Sequence, residues 1–438
     1  MLFVRSVFKL SVVSTKPRRG CSMLTYEPSE LEAELKSAYE AFLNDPGLDE
    51  ILTDFYDLTD PDFDKDSTDE IVTTETEIAI ELPRCDEAVS LTVGSFIDLA
   101  RELQSAELID NVKCQSHKST LYRVSCNYVD AWRTIEYNLE PGKEILRSSV
   151  DSAEGRLECS LVSGTTIFGF LVASKGEYEK YFPPVLEDDL FVQIKHASTR
   201  NAFIIDQIFQ SYIFELSCSA GIDLSLSPRP MYYEETGEEP EPSELKVKLK
   251  PLLMGRGMHD LLSLYNSTIT TDADVRVLYF TKVFEYVSQS VVRLQQTSII
   301  QMKLNSPKAL NPDAEYVLEL EALFDEQKVF RKDKEAIIIT AVTCCDAFEL
   351  AKSAPKFLKS LSSITNKSKK KERDDALKEF ASSLADTRNQ IAHAKSNYQP
   401  TDAECPTDDM HCFSICAKQA AQQVIRWFSA LNEQQRVI

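Results

Sequence analysis

The run Arg388-Asn389-Gln390-Ile391-Ala392-His393 places an arginine, an amide and a histidine within six residues, and the chain holds only five histidines in all. A guanidinium is permanently charged and grips phosphate oxygens through two parallel hydrogen bonds. Imidazole titrates near neutrality and can take or give a proton. Asn389 carries a donor and an acceptor, so it can hold an imidazole or a ribose hydroxyl. Together the three groups suit cleavage of an RNA phosphodiester by its own 2′-hydroxyl, a nucleophile that needs no metal. Arg388, Asn389 and His393 are therefore the catalytic candidates, and neither a metal nor a cofactor is expected.

Successive residues of an α-helix turn by about 100°. Asn389 and His393, four apart, share a face one turn from each other. Arg388 projects about 140° away from His393, and its length lets it curl back. A second copy of the helix across a two-fold axis would bring two such sets together. Spacing alone also describes a helix whose histidine is merely capped and satisfied by its neighbours.

Upstream, Asn366-Lys367-Ser368-Lys369-Lys370-Lys371-Glu372-Arg373 is the densest basic run of an acidic chain. With Lys395, the lysines at 367, 369, 370 and 371 form the local positive patch that RNA binding requires. An ordinary solvated loop has the same composition. Cys412 and Cys416, with His411 and Cys405 nearby, offer metal-ligand types, but they lie in a helical stretch without a second CxxC pair. In the acidic stretch Asp57 to Glu70, the carboxylates at 60, 62, 64 and 66 alternate as in a calcium loop. Lys65 replaces the required glycine of one possible register and the closing glutamate is missing in either, which favours a solvated loop.

The elements that must hold these groups change character along the chain. Glu27 to Leu43 has helical spacing. Ile78, Ile80 and Leu82 alternate with polar or small residues as a half-buried strand does. A short helix is expected over Phe96 to Leu103. Strands are expected over Leu121–Val124, Thr134–Asn138, Leu157–Val162, Ile167–Ala173 and Phe191–Ile194. Ala202 to Leu216 reads as a helix or a strand pair. From Met258 the period becomes helical, with helices over Val275–Val292, Glu315–Phe330, Ala336–Lys352, Ala376–Ser396 and Ile415–Leu431. The predicted fold is an α+β N-terminal domain followed by an all-α helical bundle.

At 438 residues the chain has room for two domains. The first 22 residues are a basic leader or a start placed too early, since Arg5, Lys9, Lys16, Arg18 and Arg19 occur there without an acid. Residues 23–230 form the α+β domain and 231–256 a linker rich in proline and glutamate. Residues 257–438 form the helical domain. A net charge of −22 argues against an extended basic nucleic-acid surface and confines any RNA or DNA contact to a local patch. No apolar run approaches the ~20 residues that span a bilayer. Eleven dispersed cysteines point to reduced thiols and a cytoplasmic location.

The wording RNxIAHxK at 388–395 resembles the HEPN superfamily, whose signature is an arginine, a polar residue and a histidine four to six positions past the arginine. It is most similar to the Apea-like branch of bacterial HEPN proteins. The aromatic-rich Tyr279-Phe280-Thr281-Lys282-Val283-Phe284-Glu285-Tyr286 resembles that branch's early helix. Thr343 to Leu350 resembles a second helix with an inward acid. The resemblance covers roughly residues 259–434. It implies a helical bundle that dimerises and a metal-independent ribonuclease site. In that site Arg388 would stabilise the scissile phosphate, Asn389 would position it and His393 would act as general base or acid. Glu285 and Glu349 would orient motif residues, or form helix-surface ion pairs instead. Such proteins serve in phage defence or as toxins, with N-terminal domains as sensors, so the implied partners are RNA, a second copy of the chain and an unknown ligand or protein for the N-terminal domain.

The alternatives are a non-catalytic dimerisation and ligand-binding module of the same fold, which the negative charge favours, and a structural interaction protein with a buried histidine.

Overall fold

The computed structural model describes residues 77–80, 89–92, 98–99, 101–103, 105–126, 129–139, 143–152, 155–164, 166–175, 183–186, 189–196, 201–228, 245–269, 271–327, 332–392 and 403–438. The helix expected over 27–43, the acidic stretch 57–70 and the leader lie outside them. The chain divides into two compact units. One takes in residues up to Ile205 together with Ser219–Pro251, and the other Asp206–Cys218 together with Leu252–Ile438.

In the first unit, β1 (Glu77–Ile80) and β2 (Val89–Thr92) form an antiparallel pair. A larger antiparallel sheet follows, built from β3 (Glu107–Asp110), β4 (Lys113–Gln115), β5 (Ser119–Cys126), β6 (Ile145–Ser152), β7 (Gly155–Ser163), β8 (Leu190–Lys195) and β9 (Leu224–Leu226). Its spatial order is β3-β4-β5-β8-β7-β6, with β9 pairing β5 beyond the end of β4. All eight residues of β5 are buried, as a strand paired on both edges and covered on both faces must be. Burial on that scale forces polar partners inward. Arg123 of β5 is accordingly paired with Asp189, both side chains being 4% exposed.

Two expected strands are helices. Residues 134–138 belong to α1 (Val129–Asn138). Its buried side chains Trp132, Ile135 and Leu139 recur at helical spacing, a stripe that reaches beyond the five residues read as a strand. Residues 167–173 belong to α2 (Ile167–Lys175), where every side chain from Ile167 to Ala173 is buried. A short segment apolar on all sides carries no period, so its residue types alone do not separate strand from helix. Ala202–Ser219 is a single helix, α3, and its residues 206–218 belong to the second unit.

The second unit is helical: α4 (Met258–Asn266), α5 (Ala273–Leu304), α6 (Ala314–Gln327), α7 (Asp333–Cys344), α8 (Ala347–Ala351), α9 (Lys359–Ser362), α10 (Lys370–Ala392) and α11 (Met410–Ala430). Helix α5 buries Val277, Phe280, Val283, Phe284, Val287 and Val291, the i, i+3, i+4, i+7 stripe of a core-facing helix. Helix α10 answers with Leu377, Phe380, Ala381 and Leu384, and α11 with Ala417, Ala420, Ala421 and Val424. The small alanines on α11 let helices approach, and aromatic rings fill the remaining space. Ring centroids are 6.3 Å apart for Phe284 and Phe380, and 6.0 Å for Phe380 and Phe413.

The helix expected over 336–352 is broken. Cys345 adopts an extended conformation (φ −105°, ψ 147°), and α8 restarts with Asp346, whose carboxylate accepts a hydrogen bond from the Phe348 N–H at 2.9 Å. The Asp346 N–H itself donates to Gln423 Oε1 of α11 at 2.6 Å. Side-chain capping and a tertiary partner thus replace the intrahelical bonds that continuation would have given. Among the described residues no helix is long and apolar enough to cross a membrane.

Candidate functional site

Arg388 and Asn389 occupy the last turns of the described part of α10, and the three consecutive residues 386–388 reach three different partners outside the helix. That follows from helix geometry, since three residues sweep about 200° around the axis. Asp386, 7% exposed, accepts from Lys334 Nζ of α7 at 2.7 Å. Thr387, fully buried, accepts from the Cys405 N–H at 2.8 Å. Arg388 places Nη2 3.1 Å from Glu285 Oε1 of α5, each side chain 30% exposed. Its Nη1 donates to Asn389 Oδ1 at 2.9 Å. One turn earlier Ser383 donates to the Ala403 carbonyl at 2.5 Å. Ile391 packs against the bundle core. The end of α10 is therefore held from three sides, which keeps the half-exposed guanidinium on a fixed base.

The electrostatics around Arg388 are mixed. Burial raises the Glu285 carboxyl above its ordinary value; Arg388 opposes that rise, Asp333 at the start of α7 adds to it, and Lys282 opposes it. A carboxylate raised by desolvation beside a cation is the kind of perturbed group found where charge is managed for chemistry.

His393 and Lys395 lie outside the described residues. Glu349 is on α8, half-exposed, and pairs with Lys352 at 2.6 Å, a surface ion pair. Lys367, Lys369, Lys370 and Lys371 are exposed. The lysines at 370 and 371 are not in a loop: they open α10, where Glu372 accepts from the Lys369 N–H at 2.8 Å as half of a capping box. Lys370 and Arg388 thus stand near opposite ends of one helix, eighteen residues or about 27 Å apart. The basic run and the arginine are not gathered at one point.

Of the thiols with metal-ligand character, Cys416 is buried, with Sγ 3.9 Å from the Leu350 carbonyl, and Cys412 is exposed. Among the described residues no group of three or more His, Cys, Asp or Glu side chains could hold a metal ion. No family model, curated protein or solved structure matches this chain.

Three residues that shape the site, Lys334, Asp333 and Asp386, are not apparent from the sequence as parts of it. Asp386 sits two residues before Arg388, and that proximity is the one local signal that points to it. Lys334 lies 52 residues away from Asp386, and nothing in the local pattern links the two.

Proposed function

We propose that the chain is a metal-independent RNA endonuclease whose active site is built on the end of α10. The reading is supported by one observation above all: a half-exposed Arg388 guanidinium is braced by Glu285 and Asn389, and part of its donor fork is left for phosphate. Arg388 would stabilise charge on the scissile phosphate, Asn389 would position it and His393 would carry the proton. Two copies of the helical unit would form the working dimer, and the sheet-containing unit would regulate it, as in a phage-defence or toxin effector. RNA incubated without added metal tests this reading: the wild type should cleave, and Arg388→Ala and His393→Ala should each abolish cleavage. Cleavage that survives both substitutions removes the site from the reaction.

A second reading, a non-catalytic dimerising and ligand-binding module, is favoured by the net charge of −22 and by the distance between the basic run and Arg388. It predicts stable dimers and no cleavage by the wild type.

A further inference from the structure

The break between α7 and α8 opens a cavity of about 510 Å³ against the first turn of α10. A volume of this size is within the ordinary range of small-molecule sites, about 300–1,000 Å³. Val342, Ala347 and Leu377 give it an apolar wall. Ser368, Lys370 and Arg373 give it a rim of donors. The guanidinium of Arg373 is only partly used: Nη2 donates to the Asn366 carbonyl at 2.9 Å, while Nε is buried without a hydrogen-bond partner among the described residues. That Nε is too enclosed for a ligand to reach, so an anion in the cavity would accept from the partly exposed end of the guanidinium, which lines it. Ser368 Oγ accepts from the Thr365 N–H at 3.1 Å, so its own proton can turn to a ligand. The first amides of α10 add their partial positive charge on the same side.

Two carboxylates also line the cavity, Asp346 and Asp374, and they decide which anion fits. Lys370 and Arg373 give a phosphomonoester, with about two negative charges at neutral pH, two cations to bind, while the carboxylates bring the net charge of the lining to zero and so disfavour a triphosphate. Asp374, and the lone pairs Asp346 keeps beyond its bond to Phe348, are acceptors for hydroxyl groups. Among the described residues no aromatic side chain lines the cavity, so a nucleobase would find no stacking platform.

We propose that this cavity binds a sugar phosphate, with the phosphate on Lys370, Arg373 and Ser368 and sugar hydroxyls on Asp374 and Asp346. The proposal shares Lys370 with the basic run expected to bind RNA but uses neither Arg388 nor His393, so its failure and the failure of the cleavage test are distinguishable. Isothermal titration of the full chain with ribose 5-phosphate and glucose 6-phosphate tests it, with ribose, inorganic phosphate and AMP as comparisons. A sugar phosphate should bind, inorganic phosphate should bind more weakly and ribose should not bind. Arg373→Lys should weaken binding roughly tenfold, the loss of one charge-assisted hydrogen bond, and Lys370→Glu, which also sets a negative charge against the phosphate, should weaken it further. Lys378→Ala should leave it unchanged. Lys370 is exposed, so its variant should keep the wild-type melting temperature and report on the site alone. The proposal is overturned by absence of sugar-phosphate binding, by affinity unchanged in Lys370→Glu, or by tighter binding of AMP or a 5′-phosphorylated oligonucleotide than of either sugar phosphate.

Discussion

Glu285 Oε1 lies 3.1 Å from Arg388 Nη2, yet that oxygen is fully buried and accepts no hydrogen bond from the described residues. The two facts agree once direction is considered. The guanidinium comes within Coulombic reach of the carboxylate but off the line of its N–H bonds, so the contact is an ion pair without a hydrogen bond. Such a pair braces Arg388 without consuming a directional donor, so the donors that Nη1 does not spend on Asn389 remain for an oxyanion.

The same carboxyl makes stability depend on pH. Glu285 is held above its ordinary value of 4.5, chiefly by burial. A folded-state value raised in this way means that the folded chain binds the proton more tightly than the unfolded chain does. The resulting stability is fully present below 4.5 and lost as pH rises through the folded-state value. Wild type should therefore gain melting temperature relative to Glu285→Gln as pH falls from neutrality. Parallel curves for the two proteins across that range would show that the carboxyl is not raised.

Arg426 of α11 donates to Glu215 Oε2 of α3 at 2.7 Å, where Glu215 is 1% and Arg426 26% exposed. The guanidinium also lies over the Phe214 ring, 5.6 Å from its centroid. Removing the cation strands a charge in the core, and that costs more than the pair contributes. Arg426→Leu should lower the unfolding free energy by about 3 kcal/mol, measured by urea denaturation. The double variant with Glu215→Gln should recover part of the loss. Equal losses in the single and double variants would mean that the arginine acts through packing alone.

Much of the bundle is legible in the sequence because one long period repeats: Val283, Val287 and Val291 mark a face of α5 that is buried in the structure. The strands around Leu121, Leu157 and Phe191 are legible for a similar reason, since β-branched and aromatic residues cluster between breakers. The α1 and α2 segments are not. In α2 the apolar run is too uniform to show a period, and in α1 the period emerges only when Trp132 and Leu139 are read with Ile135. The break at Cys345 is set by Gln423 of another helix, a tertiary contact that local propensity does not contain. At the site, the helix bearing Arg388 and Asn389 is legible, whereas Lys334 against Asp386 is not. A lysine and an aspartate 52 positions apart meet only after α7 and α10 pack.

The break at Cys345 carries a prediction for stability. The Asp346 carboxylate is the N-cap of α8, so Asp346→Ala should cost about 1 kcal/mol, the usual worth of such a cap. Asp346→Asn, which keeps an acceptor, should cost only a fraction of that. Chemical denaturation resolves the two, and equal losses would assign the effect to the carboxylate's charge instead of its hydrogen bond.

The separation of the basic run from Arg388 predicts a division of labour in RNA kinetics. Lys367, Lys369 and Lys371 are exposed around the start of α10, about 27 Å along the helix from the arginine. Groups that far from the scissile phosphate can contribute to binding through counterion release, but they cannot touch the reacting atoms. Replacing all three with alanine should raise KM and flatten its logarithmic dependence on salt by about 0.7 for each phosphate that is no longer neutralised, leaving kcat near wild type. Arg388→Ala should do the reverse and lower kcat at saturating RNA, because its charge is needed most when the phosphate carries extra charge in the transition state. Measuring the rate against RNA concentration at several salt concentrations separates the two. A fall in kcat for the triple lysine variant equal to that of Arg388→Ala would mean that the start of α10, and not its end, meets the cleaved bond.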